Sequence, residues 1–184
     1  MNQAIQRMIK RLQIGCDLDD TIFGFSKGYI QRFKKWPKYD WAITRNVEHI
    51  LSKERDFWVN LPVIRRPDFE PKLYCSSRVN KKCWTKKAIE INDLPNSPLF
   101  QVPGYSIPKS RYIKGRVDVF IEDSPHQWKA LNKAGIPCLL IDGDNNKDYG
   151  PVLKIYSLTY EEIEDAYWLG KETGIFQEFS KYFD

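Results

Sequence analysis

The sequence predicts a three-layer α/β fold built on a parallel sheet, with a small helical segment inserted after the first strand. Three observations predict it. Short apolar runs alternate with amphipathic stretches of helical length, the pattern left by strands joined through crossover helices. More than fifty residues separate the first apolar run from the second, far more than an ordinary connection needs. The chain has 184 residues, 42% hydrophobic and 14% aromatic, enough to bury the core of one domain carrying a modest insertion.

The elements follow in order. Strands are expected at 12–17, 72–76, 99–102, 117–122, 137–142 and 152–156. After the first, Ile22, Phe25, Tyr29 and Phe33 recur at helical spacing, and Val47, Ile50, Leu51, Phe57 and Trp58 continue one face of a second helix beyond a WPKYDW loop. This insertion assigns 24–62 to a helical cap and leaves 1–23 with 63–184 as the α/β core. Between 80 and 92, Trp84, Ala88 and Ile91 are expected on one helix face. Ser124 reads as an N-cap, Pro125 as the first helical residue and Gly135 as the stop of that helix. Thr159 with Glu162 reads as a capping box opening the last helix.

Composition excludes several classes. The apolar and aromatic content is too high for a disordered chain, and no run approaches the ~20 apolar residues of a membrane span. The opening MNQAIQRMIKRLQIG has no apolar core of a secretory signal, so none is expected. The four cysteines, at 16, 75, 83 and 138, show neither a CxxC pair nor zinc-finger spacing. Free thiols in a reducing, cytoplasmic setting are expected. The net charge of +5 comes from short clusters such as Lys81-Lys82 and Lys86-Lys87. It suits either a solvated basic surface or attraction of phosphorylated partners, and charge alone does not choose.

The chemistry lies at the strand ends, because open parallel sheets bind ligands beyond the carboxyl ends of their strands. The first strand runs into Asp17-Leu18-Asp19-Asp20-Thr21, and the fourth ends in Glu122-Asp123-Ser124-Pro125. So many carboxylates at two strand ends suit a hard cation held by oxygen ligands, magnesium above all, although ordinary acidic turns and caps would leave the same residues. The second strand ends in Ser76-Ser77-Arg78, whose hydroxyls suit either a phosphate oxygen or helix capping. Lys114, shortly before the fourth strand, suits either the same phosphate or the surface, with Lys109 as its competitor.

An apolar strand ending in DLDDT, a second ending in a hydroxyl, then a lysine, then a strand ending in paired acids resembles the haloacid dehalogenase (HAD) superfamily of phosphatases, over about residues 12–145. The stretches DFWVNLP, KLYCSSR and DVFIEDSP look most like the 5′(3′)-deoxyribonucleotidase type and its phage and bacterial relatives. The resemblance implies a Rossmann-like core and a role for each group. Asp17 would be the nucleophile that forms an aspartyl-phosphate, and Asp19 the general acid and base. Ser76 and Lys114 would bind the phosphoryl oxygens. Asp17, the carbonyl of Asp19 and Asp123 would hold Mg2+, with Glu122 hydrogen-bonded around it. Asp20 departs from the pattern, standing where a glycine is usual.

Within this frame the expected activity is a magnesium-dependent phosphomonoesterase, a 5′-nucleotidase acting on (deoxy)nucleoside monophosphates. A cap after the first strand would close over small substrates, with Trp36, Trp41 and Trp58 able either to stack a base or to fill the cap's own core. Arg78 would bind phosphate or pair with a nearby acid. His126 reads as a surface residue near the mouth of the site, and His49 receives no role. The alternatives are a phosphatase trimming nucleic-acid ends, less suited to a closing cap, and a non-catalytic module binding phosphate or nucleic acid. No membrane partner is expected.

Overall fold

The computed structural model describes residues 11–34, 49, 51–103, 107–149 and 153–176. The sequence expectations for Trp36, Trp41, Val47 and Ile50 lie outside them. In chain order the elements are β1 (Ile14–Cys16), α1 (Phe25–Phe33), α2 (Arg55–Val59), β2 (Leu73–Ser76), α3 (Lys82–Ile91), β3 (Leu99–Gln101), α4 (Ser110–Ile113), β4 (Val119–Glu122), α5 (Pro125–Lys133), β5 (Cys138–Ile141), β6 (Lys154–Ile155) and α6 (Tyr160–Glu172). Every expected strand is present.

The six strands form one sheet in the order β3-β2-β1-β4-β5-β6, and every pairing is parallel. Helices cover both faces, which makes the fold a Rossmann-like three-layer α/β sandwich. The alternation of side chains along a strand divides the core. Val119, Ile121, Leu139 and Ile141 join Ala88 and Ile89 of α3 and Ile163 of α6 on one face. Phe120, Cys138 and Leu140 join Ile113 of α4 with Trp128 and Leu131 of α5 on the other. Between β1 and β4 the sheet tolerates no side chain at Gly15, where a Cβ would stand 2.8 Å from the Phe120 ring.

Two local expectations shift. On α3 the buried stripe is Thr85, Ala88 and Ile89, while Ile91 is 45% exposed. The helix turns its 85-88-89 stripe to the sheet, so the expected Trp84–Ala88–Ile91 face is rotated by part of a turn. At α6, Thr159 is the N-cap residue, but its side chain makes no capping hydrogen bond. The Glu162 carboxylate instead accepts from the backbone N–H groups of Tyr156 at 2.7 Å and Ser157 at 2.9 Å. It clasps the turn ahead of the helix rather than completing a capping box. Ser124 and Pro125 open α5 as expected, and Gly135 ends it at φ +75°, where only glycine is free of strain.

The insertion leaves the core after Phe23 and returns at Val63. These two residues form an antiparallel bridge, with Gly24 N donating to Pro62 O and Ile64 N to Ile22 O, both at 2.8 Å. Phe25 stacks on Trp58 and meets Phe57 edge-on, and Tyr29, Leu51, Trp58 and Leu61 of the insertion join the apolar cluster on one face of the sheet. Helix α2 packs against α3. Among the described residues no helix is long and apolar enough to cross a membrane, and Cys16, Cys75 and Cys138 are buried free thiols, with Cys83 exposed.

Candidate active site

In this strand order, β1 and β4 lie side by side while the connections from them leave toward opposite edges, which opens a crevice at their carboxyl ends. The residues expected to carry chemistry are found at that crevice. Asp17 leaves β1 with its N–H on the carbonyl of Ile121, 2.9 Å away, which fixes it beside the end of β4. Asp17, Glu122 and Asp123 are buried and each offers one oxygen within 4.8 Å of the others.

The lysine that reaches these acids is Lys109, not Lys114. Lys109 is buried and its Nζ lies 2.7 Å from Asp17 Oδ1 and 2.7 Å from Glu122 Oε2. Lys114 caps the far end of α4, is exposed, and leads into the turn at Gly115. A single helical turn separates them, and only the N-terminal side of that turn faces the strand ends. Burial alone would lower the Lys109 pKa, but Asp17 and Glu122 outweigh it and hold the ammonium well above its ordinary value.

One lysine cannot neutralise three buried acids. Burial first, then the neighbouring Glu122, pushes Asp17 up to about 8 against the pull of Lys109. Burial, with Glu122, Asp17 and Asp20, raises Asp123 well above the usual carboxylate range. A dense set of buried carboxylate oxygens with a deficit of positive charge is the donor chemistry that suits a hard divalent cation, so these residues fit Mg2+.

Asp19 is held on the β2 side. Ser76 Oγ donates to its Oδ2 at 3.1 Å, and Arg78 donates from Nε at 3.0 Å and Nη2 at 2.8 Å. Arg78 is fully buried at its side chain, with its guanidinium over Phe23 at 5.1 Å and over Trp58 at 5.3 Å. For Arg78 and for Trp58 the sequence left two alternatives each. Arg78 is committed to Asp19 rather than left free for a substrate. Trp58 is covered by Arg78 and Phe25, and its Nε1 donates to Leu51 O, so its ring is buried in the apolar cluster shared with the sheet and offers no face to a base. Two buried donors beside this pair, Ser77 Oγ and Arg78 Nη1, have no hydrogen-bond partner among the described residues.

The loop after β5 completes the crevice, and nothing in the sequence pattern marked it. Asn146 donates to the carbonyls of Asp123 and Ile141, and Asn145 reaches the carboxylates of Asp20 and Asp123. Arg65, just past the insertion, donates to the carbonyls of Asp20 at 2.9 Å and Asp142 at 2.5 Å, tying the loop after β1 to the loop after β5. The DGDNN run could have suggested a turn, but its partners lie on distant strands and only the fold brings them together. A cavity of about 440 Å³ opens beside Asp123 and Asp20, walled by Lys27 and Ile30 of α1 and by Asn145 and Lys147. No family model matches this chain, and no curated protein matches it.

Proposed function

We propose that the chain is a magnesium-dependent phosphomonoesterase of the HAD type, acting through an aspartyl-phosphate on small phosphate esters, with (deoxy)nucleoside monophosphates as the substrate class. The observation that carries the proposal is the pairing of two carboxylates with different surroundings at one crevice. Asp17 is buried with Lys109, Glu122 and Asp123, whereas Asp19 is partly exposed and held by Ser76 and Arg78. With a cation offsetting Glu122 and Asp123, the first environment would suit an ionised nucleophile, and Asp19, the more exposed of the two, is the carboxyl that can reach a leaving group.

In the first step an Asp17 oxygen forms a bond to phosphorus as the ester P–O bond breaks, and Asp19 gives its proton to the departing alkoxide. In the second, water attacks the same phosphorus, its proton passes to Asp19, and the Asp17–phosphorus linkage breaks to release inorganic phosphate. Lys109 offsets charge on the equatorial oxygens. Asp17 and Asp123, with Glu122 close by, would hold Mg2+, which would supply the positive charge that lets an anionic nucleophile meet an anionic ester.

The test is phosphate release from an aryl phosphate, from ribo- and deoxyribonucleoside monophosphates and from a 3′-phosphorylated oligonucleotide, with and without Mg2+. Turnover that needs Mg2+ and disappears in Asp17→Asn is expected, with nucleotides the preferred esters. Equal turnover by Asp17→Asn would overturn the mechanism. Preference for the oligonucleotide or for sugar phosphates would overturn the substrate class.

A further inference from the structure

Asp20 stands at φ +55°, a left-handed conformation that glycine takes without strain and that Asp adopts with its short polar side chain hydrogen-bonded locally. Its carboxylate is fully engaged. Oδ1 accepts from Ser26 N at 2.8 Å, and Oδ2 accepts from Ser26 Oγ at 2.5 Å and from Asn145 Nδ2 at 3.0 Å. The same Asn145 nitrogen donates to Asp123 Oδ2 at 2.8 Å. One amide group therefore spends both its hydrogens on two acids that would otherwise face each other across the crevice. The chain of contacts runs from the first turn of α1, through Asp20 and Asn145, to a carboxylate that we assign to the cation.

We infer that Asp20 and Asn145 are a positioning pair that orients Asp123 for the metal ion and ties its orientation to the seat of the cap helix. This rests on the metal site proposed above. Ligating carboxylates are set by the hydrogen bonds around them, and loss of such a partner weakens metal binding by about 10–100-fold. Asn145 holds the Asp123 oxygen by a neutral donor, so it directs the carboxylate without competing for it as a second cation would. Asp20 in turn accepts from Asn145 and fixes which way the amide faces. Asn146 anchors the adjacent Asp123 carbonyl and the end of β5, so the loop that carries Asn145 is itself held.

Titration calorimetry of the intact protein with Mg2+ tests this without turnover. Asn145→Ala and Asp20→Gly should each bind Mg2+ at least about tenfold more weakly than the unsubstituted chain, and the double variant little more weakly than either single one, because both act through Asp123. Asp20→Gly is the cleaner variant, since glycine takes φ +55° without strain and the backbone should keep its course. Thermal melting of each variant without metal should change by only a few degrees, which separates positioning from loss of fold. Binding by both variants within about twofold of the unsubstituted chain would overturn the inference, and so would additive losses in the double variant. Absence of Mg2+ binding by the unsubstituted chain is a different result and would overturn the metal site itself.

Discussion

Lys109 and Lys114 flank the one-turn helix α4, and their sequence surroundings are nearly interchangeable, each a lysine in a basic, hydroxyl- and glycine-punctuated stretch. Only the direction in which the turn is laid on the sheet separates them. Lys109 is the counter-charge of Asp17 and Glu122, both buried, while Lys114 faces solvent. Removing one partner of a buried ion pair leaves the other uncompensated, at a cost of about 3–5 kcal/mol, whereas an exposed lysine away from any partner is worth within about 0.5 kcal/mol. Lys109→Met should therefore lower the urea unfolding free energy by about 3–5 kcal/mol and abolish phosphate release. Lys114→Ala should leave both as they are. If Lys114→Ala instead abolished phosphate release and Lys109→Met retained it, the site would have been assembled around the wrong residue. Asp17, Asp19, Glu122 and Asp123 are legible in the sequence because they lie at or just beyond the ends of β1 and β4, and strand ends are visible as apolar runs that stop. Asn145 and Arg65 are not, because their partners are separated from them by much of the chain and no periodicity records such a contact.

Elements show the same division between what pattern determines and what packing determines. The four inner strands β1, β2, β4 and β5 are buried on both faces, so each appears as a short apolar run whatever its neighbours do. A helix is half exposed, and the rotation that selects its buried stripe depends on the sheet beneath it. On α3 the candidates Trp84, Ala88 and Ile91 satisfy helical spacing as well as Thr85, Ala88 and Ile89 do, and the sheet selects the second set. Ile89 is 5% exposed and Ile91 45%. Ile89→Ala should cost about 2–5 kcal/mol through lost burial and the cavity it leaves, while Ile91→Lys should change stability by no more than about 0.5 kcal/mol. Chemical denaturation of the two variants checks the rotation directly, and equal losses would mean that the helix presents another face. Glu162 makes the related point at α6. Its position three residues after Thr159 is that of a capping box, but the turn at Tyr156 and Ser157 offers it two N–H groups and takes it.

Across the whole molecule, the crevice stores a charge conflict that solution conditions can reveal. Asp17 has an ordinary pKa of 3.8 and a folded value of about 8, raised by burial and by Glu122, and Asp123 is raised in the same direction. Between those two values the folded protein binds a proton that the unfolded chain has released. The stability linked to Asp17 is therefore fully present below about 4 and is lost as pH rises through about 8. Lys109 does not oppose this within the same window, because its ordinary value is 10.5 and folding raises it further, so it stays charged throughout. Without metal, the melting temperature should fall as pH rises from about 5 to about 8. A divalent cation binds the ionised carboxylates and releases their protons, so its effect must grow over the same interval. At one hundred times its dissociation constant a ligand adds about 2.7 kcal/mol, which for a chain of this size is about 5–11 °C in melting temperature. Mg2+ should therefore raise the melting point by about that much near pH 8 and by much less near pH 5. Asp17→Asn cannot be ionised and should flatten the pH dependence while losing most of the Mg2+ increment. An increment that was equal at the two pH values, or that survived in Asp17→Asn, would place the cation elsewhere. The acids at the ends of β1 and β4 would then be a buried network whose charge is offset by Lys109 and whose Asp123 is held by Asn145 and Asn146.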